Sequence, residues 1–172
     1  MHRTEAEDAV EVELSDTQGH LRIDPSEVES IVRTVLAAEG RPRASISIAI
    51  VDQATIHAIN RAHLNHDWPT DVISFPLSAP DEEILSGELV VSAEMAAATA
   101  AEHGVDPVDE LALYLVHGLL HLCGHDDRTE VDAAVMRRRE GEMLAACGRS
   151  NPFDLHPTRP TRDPREPSPC SS

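Results

Sequence analysis

The stretch from Asp106 to Asp127 reads DPVDELALYLVHGLLHLCGHDD, and up to Leu122 it has the pattern of a buried helix. Asp106 can cap the helix, and Pro107 takes the first helical position, where a missing N–H costs nothing. Asp109 and Glu110 then sit at the positive end of the helix dipole. From Leu111 to Leu122 the segment is apolar almost all round. Such a helix must be covered on most sides by other elements, so the rest of the fold is built around it.

The covering elements read outward from this helix. Just upstream, Ala93 to His103 is expected to be helical and closed by Gly104, preceded by short β-branched strands at Asp71 to Phe75 and Glu88 to Ser92. Ala44 to Val51 (ASISIAIV) is the strongest strand, with Ile46, Ile48 and Ile50 on one face. Asp52 can cap a short helix carrying Ile56 and Ile59. Val10 to Leu14 (VEVEL) alternates as a half-buried strand does. Asp24-Pro25-Ser26-Glu27 opens a helix whose apolar face is Val28, Ile31, Val32, Val35 and Leu36, ended by Gly40. Downstream, Thr129 to Cys147 reads as a last helix stopping at Gly148. These elements predict an α/β, α+β-like fold: a small sheet of about four strands covered by about five helices, with the Asp106–Leu122 helix central.

The 172 residues suit one domain with a real core. Only Phe75, Phe153, Trp68 and Tyr114 are aromatic, so that core must rest on Leu, Ile, Val and Ala. Residues 1–8 read as a disordered lead, 9–150 as the single folded domain, and 151–172 as a disordered tail. The tail holds six of the twelve prolines and too little apolar surface to offset its ordering entropy. No apolar run approaches the roughly 20 residues of a membrane span. Met1 to Asp8 lacks the basic-then-apolar order of a signal peptide, so a cytoplasmic protein is expected. Cys123, Cys147 and Cys170 form no C-x-x-C and imply no disulfide framework. Cys123 lies between two candidate ligands, but a free cysteine on an apolar helix reads first as a small buried hydrophobe. The net charge is −17 and there is no lysine, which argues against nonspecific nucleic-acid binding. The densest cationic cluster, Arg137 to Arg139, reads as a solvated helix face.

Chemistry concentrates in the second half of the opening stretch, HGLLHLCGHDD from His117 to Asp127. Residues four apart lie above one another on a helix, so His117 and His121 can aim two imidazoles at one point. Gly124 can adopt a left-handed conformation that turns the chain back, letting a downstream residue close on the same point. Burying two such histidines needs two sets of partners or one shared cation. Imidazole nitrogens with a carboxylate favour zinc, and three protein ligands leave the open position typical of catalytic sites. The spacing H-x-x-x-H-x-x-G-x-x-D also fits a zinc-protease helix with a metzincin-like turn. That chemistry requires a glutamate after the first histidine, whereas Gly118 has no side chain to accept a proton.

On these residues the sequence resembles the YbeY endoribonucleases, bacterial factors of ribosomal RNA maturation. HGLLHLCGHDD is similar to the family's H-G-x-L-H-L-x-G-Y-D-H. Asn60 with Pro69-Thr70-Asp71-Val72-Ile73-Ser74-Phe75-Pro76 matches a second hallmark, and Gly87-Glu88-Leu89-Val90-Val91-Ser92 a third, G-D-I-V-I-S. Order and spacing agree from about Val10 to Gly148. The resemblance implies an α/β fold with a small mixed sheet and one zinc ion per chain in a cleft. It also implies single-strand RNA cleavage, maturation of the 3′ end of small-subunit rRNA and ribosome quality control. Ribosomal RNA and the small ribosomal subunit are the partners so implied.

Carried over, His117 and His121 match the first two zinc ligands, and the third histidine falls on Asp127. His125 stands at the family's tyrosine and is the alternative third ligand; Asp127 keeps the register of the motif. An aspartate there cancels one unit of the ion's charge and should acidify its water less than a third histidine would. A second departure is Leu64, where the family carries an arginine after an aromatic residue; the neighbouring position is His63. His63 and His66 could suggest a second metal site but read better as residues of an exposed loop. Glu88 and Glu110 are candidate general bases, and neither is assigned. The leading expectation is a metal-dependent endoribonuclease; the alternatives are a non-catalytic ribosome-assembly factor with a structural metal, and a hydrolase of another substrate.

Overall fold

Alternating apolar residues place three parallel strands side by side, and a computed structural model describes the chain over residues 9–64 and 70–155. Strand β1 (Val10–Asp16) pairs with β2 (Ala44–Val51), and β2 with β4 (Leu85–Ser92), all parallel. Strand β3 (Val72–Pro76) runs antiparallel on the outer edge of β4, giving the order β1-β2-β4-β3. The sheet is therefore small and mixed, as expected. Pro76 cannot donate to a ladder and ends the edge strand, a position that tolerates it.

The period of two splits the sheet into unequal faces. Ile46, Ile48 and Ile50 of β2, Leu89 and Val91 of β4, and Val72 of β3 join the main core. Helices α1 (Pro25–Ala38) and α4 (Pro107–Leu122) contribute Val32, Val35, Leu36, Leu115, Leu119 and Leu120 to the same core. Each such side chain contributes about 1.5–3 kcal/mol on leaving water. Val51, Ile73 and Val90 point the other way and pack with Ile56 of α2 (Gln53–Leu64). Helices α3 (Ala93–His103) and α5 (Glu130–Ala146) complete the cover, and α4 touches α1, α3, α5 and both β3 and β4. The apolar helix of the opening stretch is central because it has a neighbour on nearly every side.

The caps follow the sequence. Asp24, Ser92, Asp106 and Thr129 each accept a hydrogen bond from a backbone N–H in the first turn of the helix that follows. Some boundaries differ from expectation. The short helix after Asp52 runs to Leu64, so exposed His63 is helical and not in a loop. β4 begins at Leu85, upstream of Glu88. A sixth helix, α6 (Pro152–Leu155), follows α5 within the segment expected to be a tail. Phe153 packs against the core, and the Arg137 guanidinium lies 4.5 Å from its ring centroid. The lead 1–8, His66, Trp68, Pro69, Cys170 and the tail beyond 155 lie outside the described residues. Among the described residues, no helix is long and apolar enough to cross a membrane.

Candidate metal centre

Helix α4 brings His117 and His121 together as adjacent turns of one face. Their ring centroids are 4.5 Å apart at 77°, and the two Nε2 atoms are 3.0 Å apart. The helix then ends in a paired turn: the Gly124 N–H donates to the His121 carbonyl and the His125 N–H to the Leu120 carbonyl. This Schellman arrangement needs a left-handed residue, and Gly124 supplies it at φ 101°. The reversal carries Asp127 back over the helix end, with Oδ2 3.6 Å from Nε2 of both histidines.

These three atoms form a triangle with edges of 3.0, 3.6 and 3.6 Å. A tetrahedral ion bound at about 2.0–2.2 Å holds its ligands roughly 3.3–3.6 Å apart. The residues present fit a zinc-sized cation. Among the described residues, His117, His121 and Asp127 are also the one group of His, Cys, Asp or Glu spaced for a metal. Burial pushes the Asp127 carboxyl up, but hydrogen bonding to His121 and the charges of His121 and His117 outweigh it and hold it below its usual value. It is thus ionised and available as an oxygen donor.

His125, the alternative third ligand, is turned elsewhere. Its Nε2 lies 2.9 Å from Glu39, the C-cap residue of α1. Arg139 of α5 donates to the other Glu39 oxygen at 2.6 Å and 3.1 Å. Glu39 therefore ties together α1, the turn after α4, and α5. Burial raises its carboxyl, but hydrogen bonds and charges of Arg139 and His125 lower it further, to a net value below the ordinary 4.5. A depressed carboxylate contributes stability that is complete above 4.5 and lost as pH falls through its lower folded value. Glu39→Gln should flatten thermal stability across that acid window and cost about 1–3 kcal/mol at neutral pH. A pH series of melting temperatures checks this, and parallel curves for the two proteins would refute it.

Gly118 has a structural reason. A Cβ there would lie 2.9 Å from Leu89 Cδ2, 3.1 Å from Val72 Cγ2 and 3.2 Å from Ser74 Oγ. The residue faces the sheet, and its bare surface lets α4 sit directly on β3 and β4. Ser74, a member of the second hallmark with no individual role assigned from the sequence, donates to the Gly118 carbonyl at 3.1 Å. Further along α4, Leu122 rests over Gly87. Val72 and Ser74 of the second sequence hallmark, with Gly87 and Leu89 of the third, thus form the floor under the histidine helix.

The remaining candidates stand apart. Glu110 is fully buried on α4, seven residues before His117 and so about 10 Å along the axis. Glu88 pairs in register with Phe75, on the sheet face opposite Gly87 and Leu89. Neither joins the histidines. Burial, with the Glu39 charge, pushes the Cys123 thiol up to about 12, so it stays protonated and outside the metal group. Glu140 of α5 was also missed: its Oε1 lies 2.5 Å from His117 Nδ1. Its signal was its place among Met136, Met143 and Leu144, a charge inside a buried stripe.

A family model described as Endoribonuclease YbeY matches residues 13–148. The chain belongs to the YbeY family. A relative of that name from Rhodopirellula baltica is 43% identical over 144 residues, covering 83% of this chain and 74% of its own. Another, from Carboxydothermus hydrogenoformans, is 38% identical over 139 residues, covering 79% and 96%. A Thermotoga maritima protein solved in solution aligns at a TM-score of 0.55 over 90% of this chain and 97% of its own, at 19% identity, a likeness of fold alone. The YbeY match spans β2, β3, β4 and the histidine helix together, so the elements that build the triangle all lie inside it.

Proposed function

We propose that this chain is a metal-dependent endoribonuclease that cleaves single-stranded RNA, acting in small-subunit rRNA 3′-end maturation and ribosome quality control in the cytoplasm. One zinc ion per chain is held by His117, His121 and Asp127. The observation that carries this reading is the triangle of donor atoms, its two edges to Asp127 at tetrahedral spacing and its His–His edge slightly shorter, in a member of a family named for endoribonuclease activity. When bound, the ion supplies Lewis acidity toward water and a phosphodiester oxygen. The chain's own part is to fix the three donors on a helix and a tight turn, with His121 almost wholly shielded from solvent and Asp127 ionised. As metal ligands the two imidazoles would be neutral, leaving the aspartate as the charged donor of the set.

A second reading, a non-catalytic ribosome-assembly factor with a structural metal, is favoured by the net charge of −17 and the absence of lysine. The purified zinc-loaded chain with a single-stranded RNA oligonucleotide separates the two. Cleavage should occur, stop on chelation, return with zinc, and fall by at least about a thousandfold in His117→Ala. Undiminished cleavage by that variant would overturn the metal mechanism. Comigration with small subunits, without cleavage at full zinc loading, would establish the second reading.

A further inference from the structure

We infer that Glu140 is a positioning residue for His117: it holds the ring in the Nδ1–H tautomer and so turns the Nε2 lone pair, not an N–H, toward His121 and Asp127. This rests on the metal-site reading proposed above and adds a fourth residue to it, one that touches no bound ion itself.

The geometry is specific. Among the described residues only two carboxylates are buried, Glu110 and Glu140, and Glu140 is 6% exposed. A buried carboxylate requires hydrogen-bond donors. The 2.5 Å contact pairs a Glu140 oxygen with Nδ1, and with the carboxylate as the acceptor the ring proton lies on Nδ1. A neutral imidazole carries one such proton, and Nε2 keeps its lone pair. That atom is the one 3.0 Å from His121 Nε2 and 3.6 Å from Asp127 Oδ2. The contact joins α5 to α4 across 23 residues, so a surrounding helix decides which nitrogen of a central helix can bind. A carboxylate on the far nitrogen also raises the basicity of the near one. Arg139, next in sequence, is spent on Glu39 and Glu142, which leaves Glu140 facing the histidine.

Two variants and two measurements test this. Glu140→Gln keeps an oxygen acceptor and the side-chain shape but removes the charge; Glu140→Ala removes both. In the metal-free protein, nitrogen-15 NMR of the His117 ring should report the Nδ1–H tautomer in the parent and in Glu140→Gln, and a mixture in Glu140→Ala. Zinc titration against a chromophoric chelator should show affinity about tenfold weaker in Glu140→Gln and about a hundredfold weaker in Glu140→Ala. A parent His117 in the Nε2–H tautomer, or a tautomer unchanged in Glu140→Ala, would overturn the inference. So would affinities of both variants equal to the parent's, the result expected if Glu140 only fastens the helices. If the parent takes up no zinc, the metal-site reading fails, and the tautomer measurement still decides the part played by Glu140.

Discussion

Asp127→Ala is expected to weaken zinc binding by well over about a hundredfold, the upper end of what the loss of an outer partner costs. It should leave the metal-free fold intact. The side chain is partly exposed, at 20%, so its truncation opens no core cavity. What it removes is the charged corner of the triangle, held ionised against burial by His121 and His117. His125→Ala should leave zinc affinity unchanged, because that ring is engaged with Glu39. Competition titrations on both variants decide the matter. Tight binding by Asp127→Ala with loss in His125→Ala would exchange the two assignments.

The same position predicts a change in chemistry. Asp127→His restores the three-histidine pattern of the YbeY hallmark and replaces an anionic ligand with a neutral one. More of the ion's charge then acts on water, so the acid limb of any cleavage profile should move to lower pH. The Glu140 carboxylate behind His117 works in the opposite sense, keeping the surroundings of the ion electron-rich.

How much of this was legible in the sequence depended on whether the signal was local. The helix caps, the apolar surround of α4, the His117–His121 spacing and the glycine turn all act within a few residues, and each could be read directly. The contacts that support them could not. Glu140 falls on the line of Met136, Met143 and Leu144, but that faint stripe is drowned by the charged residues beside it, so its inward direction was easy to pass over. Glu39 meets His125 and Arg139 from 86 and 100 residues away. His125 and Asp127 were indistinguishable as ligands on chemistry alone, since either side chain can bind zinc. The direction of the turn separates them in space. Phe153 was hidden for a different reason: one aromatic in a proline-rich stretch carries too little apolar surface to predict docking.

Gly118→Glu should largely unfold the protein. The substitution creates the H-E-x-x-H sequence of the zinc proteases, yet position 118 faces β3 and β4 and not the histidine side. Its Cβ alone would crowd Leu89, Val72 and Ser74, all buried. Overpacking of that kind costs about 1–3 kcal/mol, and an unpaired buried carboxylate adds roughly 3–5 kcal/mol. The gain in helix propensity over glycine returns only about 1 kcal/mol. A net loss on the order of 3–7 kcal/mol consumes much of a typical stability of about 5–15 kcal/mol. Gly118→Ala meets only the crowding, partly offset by propensity, and should stay folded with a melting temperature lower by at most about 8 °C. Thermal melts of both, read by circular dichroism, check the argument. A Gly118→Glu protein that melts with the parent would mean that α4 does not rest on the sheet through Gly118, and that the position is free to carry a base.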